Sequence, residues 1–543
     1  MASIRLGSLP RSIAIVGGAL ALMTLSIGAG QLKVAEFLAA GVAGYGLARV
    51  FVVVLAEWSW LIYALAAVDL LIPEDSRYLV HGVSSVGFQF QPYRVLVTVM
   101  IAGWFAALMV DPRVRPRKTK FEGPLILIWI AIIGSDLFNA GAVSAVSSAV
   151  LKQLTLTLSL LLMLYIFVSV VRTRATLERT LRVFVAAGCV VALGAMIERA
   201  TKYNLFNHLH RFLPLFAFDS SAEPASLLRG GHFRAIASAG HPIELSNDMA
   251  MLTPIAAYLA IRGSKMWWGA LSLLILGDLS AGSRTGIVGL LVVAGVFLWM
   301  RPRQTLRCWP ALIPILVVVQ VAMPGAVRGT IDAFFPKGGL IAQQSATFAA
   351  HGQVQDASRL SRIGPQLRNT FAKHNEFFGK GYGTRIVGRT SVNAPVPTLI
   401  SDQILDDQWL GNLLDTGLVG FAAWIWLFWR VVRKLRARAR AERATDEGWL
   451  PAALAASIMC YAVSMYFYDA FGFIQATVMM YVLLGCASVL LWLPPTQRRA
   501  TDGMIMPPLK LVRFQGRLKS GFQGRLKAVV IGERPPDNAP QAS

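Results

Sequence analysis

Charge is scarce in this 543-residue chain: Asp, Glu, Lys and Arg together make up 15% of it. A water-facing globule carries about a quarter. The shortfall excludes an ordinary soluble domain. It also excludes a disordered chain, which combines low hydrophobicity with high charge. Cysteine is scarce too, with four residues, Cys189, Cys308, Cys460 and Cys486. Each lies within or beside an apolar run, so no disulfide framework is expected. Several chemical signatures are absent. No G-x-x-x-x-G-K-[ST] loop cradles a nucleotide. His208 and His210 stand in HLH, which is not H-E-x-x-H. The glycines before Arg234 have no strand–turn–helix context for a dinucleotide. Neither a metal nor a cofactor is expected.

What the chain has is apolar sequence, 55% of residues, with a mean hydropathy of +0.55. Nearly uncharged segments recur near 12–30, 33–50, 54–73, 93–110, 122–139, 153–171, 181–198, 246–262, 266–280, 284–300, 309–323, 411–429, 449–467 and 470–493. Each is close to the length that crosses a hydrocarbon core about 30 Å thick as a helix. The expected fold is all-α: a polytopic membrane helix bundle of about 12–14 transmembrane helices with a large, partly helical extracytoplasmic loop. The first segment is followed at once by another and lacks a cleavage site, so it reads as a retained span.

Basic residues outnumber acidic ones 52 to 29, a net charge of +23. They cluster in 111–120, in 301–307, in 430–443 and beyond 494, where nine basic residues face three acidic ones. Short loops rich in Lys and Arg stay cytoplasmic. A walk through fourteen spans from a cytoplasmic N-terminus puts all of these clusters inside, and both termini with them. The basic runs then need no nucleic acid; topology and anionic membrane lipids account for them. The expected organisation is a membrane domain over 1–493 and a basic, partly disordered cytoplasmic tail over 494–543. The tail repeats FQGRLK at 514–519 and 522–527.

The same walk leaves 74–92, 199–245 and 324–410 outside, with all seven histidines there or at the outer edge. In 324–410 an apolar stripe, Leu360, Ile363, Leu367 and Phe371, has helical spacing. The flexible turn GKGYGT follows at 379–384, and Asp406 and Asp407 stand at the mouth of the next span. The segment ending 199–245 places Arg234 and His241 just before a span. The tight connection SAGSRTG, 280–286, places Arg284 at a boundary. Arginines from separate outer sites, together with carboxylates, suit an anionic group such as a diphosphate, because the planar guanidinium grips phosphate oxygens in pairs and stays charged.

These elements resemble the bacterial O-antigen ligase and O-antigen/exopolysaccharide polymerase superfamily. The resemblance runs from about 230 to 420. It rests on Arg234 with Gly240, His241 and Pro242, on Ser283-Arg284, and on Ser358-Arg359. It also rests on Gly379, Gly381, Gly383 and Thr384, and on Asp406, Asp407, Gln408, Trp409 and Leu410 leading to Gly417-Leu-Val-Gly420. It implies metal-independent, inverting glycosyl transfer on the outer face of the bacterial inner membrane. The implied donor is an undecaprenyl-diphosphate-linked glycan. Arg234, Arg284 and Arg359 would hold the diphosphate, and Asp406 or Asp407 would orient or deprotonate the acceptor hydroxyl. His241, Tyr382 and Trp409 would contact sugar. Ligases of the family typically carry histidine where this chain has Asp406, which favours a polymerase. His374-Asn375 supplies the ligase dipeptide at a different place, before the glycine turn, so His374 is an alternative base. A ligase and a lipid or glycan transporter are the competing readings; the transporter would show paired repeats, and none is evident. The acceptor and any chain-length-regulating partner are left open.

Overall fold

The computed structural model describes residues 59–73, 76–78, 92–110, 115–211, 216–218, 228–229, 232–307, 310, 312–322, 368, 371–372, 374–385 and 407–495. Two units divide the chain, Met1–Gln497 and Arg498–Ser543. The second unit with its FQGRLK repeat, the first two expected spans, the Leu360, Ile363 and Leu367 positions of the apolar stripe, and both Arg359 and Asp406 lie outside the described residues.

The described part is helical. In chain order it comprises α1 (Ser59–Leu71), α2 (Pro92–Val110), α3 (Glu122–Phe138), α4 (Ala140–Ala145), α5 (Ser147–Val170), α6 (Arg174–Thr201) and α7 (Pro242–Arg262). Then come α8 (Met266–Ala281), α9 (Arg284–Met300), α10 (Pro302–Arg307), α11 (Leu312–Ala322), α12 (Gln408–Ala441), α13 (Trp449–Ser464) and α14 (Ile474–Trp492). Two short antiparallel ribbons are the only extended pairs among the described strands. Ser76–Tyr78 pairs with Phe216–Phe218, and Leu228–Arg229 with His232–Phe233. Twelve of the fourteen apolar segments coincide with a helix. Among the described residues five helices are long and apolar enough to cross a membrane, and three shorter ones are comparably apolar. The protein is a polytopic helical membrane protein.

Which faces are apolar explains the packing. On α13 and α14 nearly every position is buried, and α7 is buried from Glu244 through Ala256. These helices form the interior, with α9 packed on α13 and α7, and α8 on α7 and α6. Small residues permit the close approach, as where Gly277 of α8 lies against Ala192 of α6 and Gly289 of α9 against Cys460 of α13. On the rim the exposed residues are themselves apolar: Ile126, Ile130 and Ile133 on α3, Leu291 and Leu298 on α9, Leu316 and Val317 on α11. A water-facing helix would be polar there; lipid accepts these side chains.

Charges concentrate at one end of the bundle. Lys434 Nζ donates to Lys120 O at 2.7 Å, and Trp492 Nε1 to Lys118 O at 2.9 Å. Arg301 Nη2 donates to Arg443 O and Thr445 O, both at 3.1 Å. The three basic stretches therefore meet at one end, the arrangement the alternating walk requires. An ion network closes it. Glu178 of α6 accepts from Arg174 at 3.1 Å, from the Tyr258 hydroxyl at 3.0 Å and from Arg262 of α7. Glu447, just before α13, pairs with Arg262 at 2.8 Å and with Arg174. Glu178→Gln keeps the shape but removes the charge that four donors share, the fourth being Arg182 at 3.4 Å. It is expected to cost on the order of 1.5–3 kcal/mol, as for hydrogen bonds to charged groups. The check is a lower unfolding midpoint of the detergent-solubilised protein, with the shift shrinking as salt rises.

Candidate functional site

The opposite end of the bundle carries those of the singled-out residues that are described, on three segments and at the head of α12. The first, 233–241, connects to α7. Its backbone is held by buried polar side chains rather than by secondary structure. Glu198 Oε2 accepts from Ile236 N and Ala237 N at 3.1 and 2.6 Å. Glu244 Oε2 accepts from Gly240 N at 3.0 Å, and Gln475 Nε2 donates to Ser238 O at 3.2 Å. So tightly is the segment held that Ala237 sits at φ +51°, in the left-handed region that a non-glycine residue rarely adopts. This frame fixes Arg234 and His241. His241 caps α7, its Nδ1 accepting from Ile243 N at 3.1 Å, and its ring lies 5.7 Å from that of Phe473.

The second segment is the α8–α9 turn. Gly282, at φ +57°, ends α8, and Ser283 caps α9 by accepting from Thr285 N at 3.3 Å. Arg284 is thereby the first residue of α9. Ala235 N donates to Ser280 O at 3.1 Å, and Arg234 Nε donates to Ala281 O at 3.2 Å. Arg234 thus lies on the turn that presents Arg284, and it is 6% exposed. Arg199 of α6 reaches the same turn, donating to Phe233 O at 3.0 Å and Ser280 O at 3.3 Å. Below the turn Ser246 and Asp278 are hydrogen-bonded, and Gly286 of α9 is packed against that pair so closely that no side chain would fit.

The third segment, 374–385, docks into a break in α12. The helix is interrupted at Gly417, whose φ of +65° and ψ of −164° take it out of the helical region. The break leaves backbone groups without their usual partners, and the loop supplies new ones. Lys380 N donates to Leu414 O at 2.9 Å. Leu418 N and Val419 N donate to Glu376 O and Phe377 O at 3.0 and 3.2 Å. Gly379, at φ +69°, touches the backbone of Leu414 and Gly417. Two motifs that are far apart in sequence, the glycine turn and Gly417-Leu-Val-Gly420, are therefore two halves of one backbone joint. From the other side α3 clasps the loop. Ser135 Oγ donates to Asp415 O at 2.5 Å and accepts from Gly381 N at 3.1 Å. Asn139 Nδ2 donates to Gly379 O at 2.9 Å, and its Oδ1 lies 3.0 Å from His374 Nδ1.

The loop ends on Arg385. Its side chain, 2% exposed, lies between Asp415 of α12 and Asp469 of the α13–α14 connection. Nε sits 3.3 Å from Asp415 Oδ1, and Nη1 is 3.2 Å from Asp469 Oδ2. Burial disfavours the Arg385 cation, but the two carboxylates outweigh it and raise its pKa above the usual arginine value. The sequence reading passed over this triad. Its signal was an aspartate inside an apolar helix, which requires a cationic partner, and an arginine directly after the glycine turn.

Asp407 caps α12, with Oδ1 accepting from Leu410 N at 3.1 Å, and it is 5% exposed. The next residue ties that helix start to the α13–α14 connection: Gln408 N donates to Met465 O at 2.7 Å, and Gln408 Oε1 accepts from Phe471 N at 2.9 Å. Tyr468 and Phe473 of that connection pack edge to face with ring centroids 5.1 Å apart. A continuous path of contacts thus runs from His241 through Phe473 and Tyr468 to the Asp407 helix start and on to Arg385. Tyr382 and Trp409 are engaged within the bundle. The Tyr382 hydroxyl is 2.8 Å from Thr157 Oγ1, and burial pushes its pKa up. Trp409 Nε1 donates to Ala462 O at 2.9 Å.

Residues 269–425 match the family model described as O-antigen ligase, so this stretch is similar to the O-antigen ligase and polymerase superfamily. The match spans the α8–α9 turn, the glycine loop and the head of α12. No curated protein matches the chain. The match supports a ligase- or polymerase-type function broadly and does not separate the two.

Two outcomes test the joint. Gly417→Ala forces a side chain onto the Phe377 backbone at a left-handed position, and a penalty of about 1–3 kcal/mol is expected for the backbone conformation alone. Arg385→Leu strands buried Asp415 and is expected to cost about 3–5 kcal/mol. The double variant Arg385→Leu/Asp415→Leu should lose less than the sum of the single changes. A thermal-unfolding double-mutant cycle reads this coupling; strict additivity would sink the triad as a structural unit.

Proposed function

We propose that this protein is a membrane glycosyltransferase that polymerises polyprenyl-diphosphate-linked glycan repeats on the extracytoplasmic face of a bacterial inner membrane. The observation that carries the reading is the pairing of Arg234 with the turn that starts α9 at Arg284, at the end of the bundle opposite the three basic stretches. Positive-inside logic assigns those basic stretches, and both termini, to the cytoplasm. It leaves the arginine-bearing turn outside, where a lipid-linked glycan donor is presented.

In this proposal Arg234 and Arg284, with Arg359 from the large loop, hold the donor diphosphate. The acceptor sugar hydroxyl attacks the anomeric carbon from the face opposite the diphosphate. The bond from that carbon to the diphosphate oxygen breaks, the electron pair leaves with the diphosphate, and the configuration inverts. The arginines stabilise the charge that develops on the leaving oxygen. Asp406 or Asp407 receives the hydroxyl proton as general base. His241, beside Phe473, borders the sugar. Tyr382 and Trp409, also candidates for sugar contact, hold the glycine loop and the head of α12 in place through Thr157 and Ala462. The donor is an undecaprenyl-diphosphate-linked glycan.

A ligase reading has one specific observation in its favour: His374, of the His-Asn dipeptide, is oriented by Asn139 at the same end of the bundle. In that case the base is His374 and the glycan moves whole to a lipid or other acceptor. Purified protein reconstituted with a synthetic polyprenyl-diphosphate repeat separates the two. Mass analysis showing longer glycans on the carrier supports polymerisation, whereas intact glycan on a different acceptor supports the ligase. Arg284→Ala and Arg234→Ala are each expected to lower turnover by roughly 10²–10³, the scale of losing one charge-stabilising donor, with the unfolding midpoint little changed for Arg284→Ala. Normal transfer in both variants would remove the diphosphate pocket.

A further inference from the structure

A groove at the basic end is not used by any of this chemistry. It lies between the end of α9 and the second half of α12, has a volume of about 410 Å³, and is lined by Trp299, Trp429, Arg433, Arg436 and Arg440 among others. The four α12 residues are spaced four, three and four apart, so they form one stripe along that helix. The rings of Trp299 and Trp429 are about half exposed. Arg436 stacks over Trp299 with its guanidinium carbon 3.9 Å from the ring centroid, and Arg433 over Trp429 at 5.0 Å.

The depth of the groove follows from helix length. From Gln408 to Trp429 is twenty-one residues of α12, at most about 31 Å at 1.5 Å per residue across the break at Gly417, close to the thickness of a hydrocarbon core. Trp429 therefore falls at the boundary between acyl chains and head groups, where tryptophan concentrates. The arginines follow within the next three turns, in the head-group layer. Trp299 stands at the matching place on α9, two residues before Arg301. The nearby acidic side chains are committed elsewhere: Glu442 to Arg438 and Arg174, Glu447 to Arg262 and Arg174. Among the described residues no carboxylate pairs with Arg433, Arg436 or Arg440. Two cations held on aromatic faces, with Arg440 one turn further along the same stripe, present donors to phosphate oxygens at head-group depth.

We propose that this groove binds the phosphodiester head group of an anionic phospholipid, with the acyl chains running down past Trp299 and Trp429 along the exposed apolar surface of α9. The ligand chemistry is that of a phosphate-bearing anion, and the depth of the tryptophans selects a lipid over a free phosphate. The site is separate from the transfer chemistry, at the other end of the bundle, and does not depend on it.

The test uses the full-length protein in detergent micelles, titrated with phosphatidylglycerol, phosphatidylcholine or inorganic phosphate, with bound lipid counted by native mass spectrometry. Phosphatidylglycerol is expected to bind in a defined stoichiometry and phosphatidylcholine at least tenfold more weakly. The triple variant Arg433→Gln/Arg436→Gln/Arg440→Gln should lose tenfold or more in affinity, from about fivefold for each basic residue near an anionic lipid. Arg303→Gln/Arg307→Gln, which removes charge at the same end without touching the groove, should bind as the unaltered protein does. Trp299→Ala, with all three charges kept, should weaken binding severalfold. Equal loss in the Arg303/Arg307 variant would reduce the effect to general charge and overturn the proposal. So would unchanged binding in the triple variant, equal binding of phosphatidylcholine, or full competition by millimolar inorganic phosphate. A shift to dimers on lipid removal, with no lipid counted on the monomer, would assign the groove to a second copy of the chain and overturn it as well.

Discussion

The architecture of the candidate site depends on one broken helix. In a bilayer an unsatisfied backbone group costs several kcal/mol, so a helix that crosses it cannot open unless something fills the gap. At Gly417 the gap is filled by another piece of the same chain. Leu414 O, Leu418 N and Val419 N find their partners on Lys380, Glu376 and Phe377. The loop is thereby obliged to sit at one place and in one register, because its own carbonyls and amides complete the helix. Glycine is needed on both sides of the joint. Gly417 and Gly379 both have positive φ, and their backbones touch. Arg385 then locks the end of the loop between two carboxylates, one on α12 and one on the α13–α14 connection.

The two ends of the bundle solve the problem of polar groups in a membrane in different ways. At the basic end, side chains pair with one another, in the network of Glu178, Arg174, Arg262 and Glu447. At the site end, buried side chains mostly serve the backbone. Glu198, Glu244, Gln475 and Asn139 each hold main-chain groups of an irregular segment. A segment without helix or sheet can stand at the edge of a membrane only when its amides and carbonyls are matched in this way. The outcome is a set of loops with fixed positions, which is what a site built from separate segments requires.

Much of this was legible in the residues. Runs of apolar residues gave the spans, since a helix is the only open segment that satisfies its own backbone in lipid, and twelve of the fourteen coincide with helices of the structure. Arg234 and Arg284 were read from separate segments, and Arg234 donates to the Ala281 carbonyl of the turn that leads into the helix begun by Arg284. What the residues did not reveal were the partners chosen by folding. Asp415 is a plain anomaly in an apolar helix until Arg385, thirty residues earlier, is placed beside it. The kink at Gly417 was likewise hidden. A glycine inside an apolar helix is usual in membranes, and nothing local distinguishes one that tightens packing from one that breaks the ladder.

The contact of Gly286 with the Ser246–Asp278 pair has a consequence for anyone rebuilding this protein. Because that glycine wedges α9 against α8 and α7 a half-turn below Arg284, the arginine has no freedom to be repositioned by side-chain repacking alone. Its location is a property of the hairpin. A graft of this arginine into another scaffold must carry the α8–α9 hairpin, together with the serine and aspartate beneath it, as a single cassette.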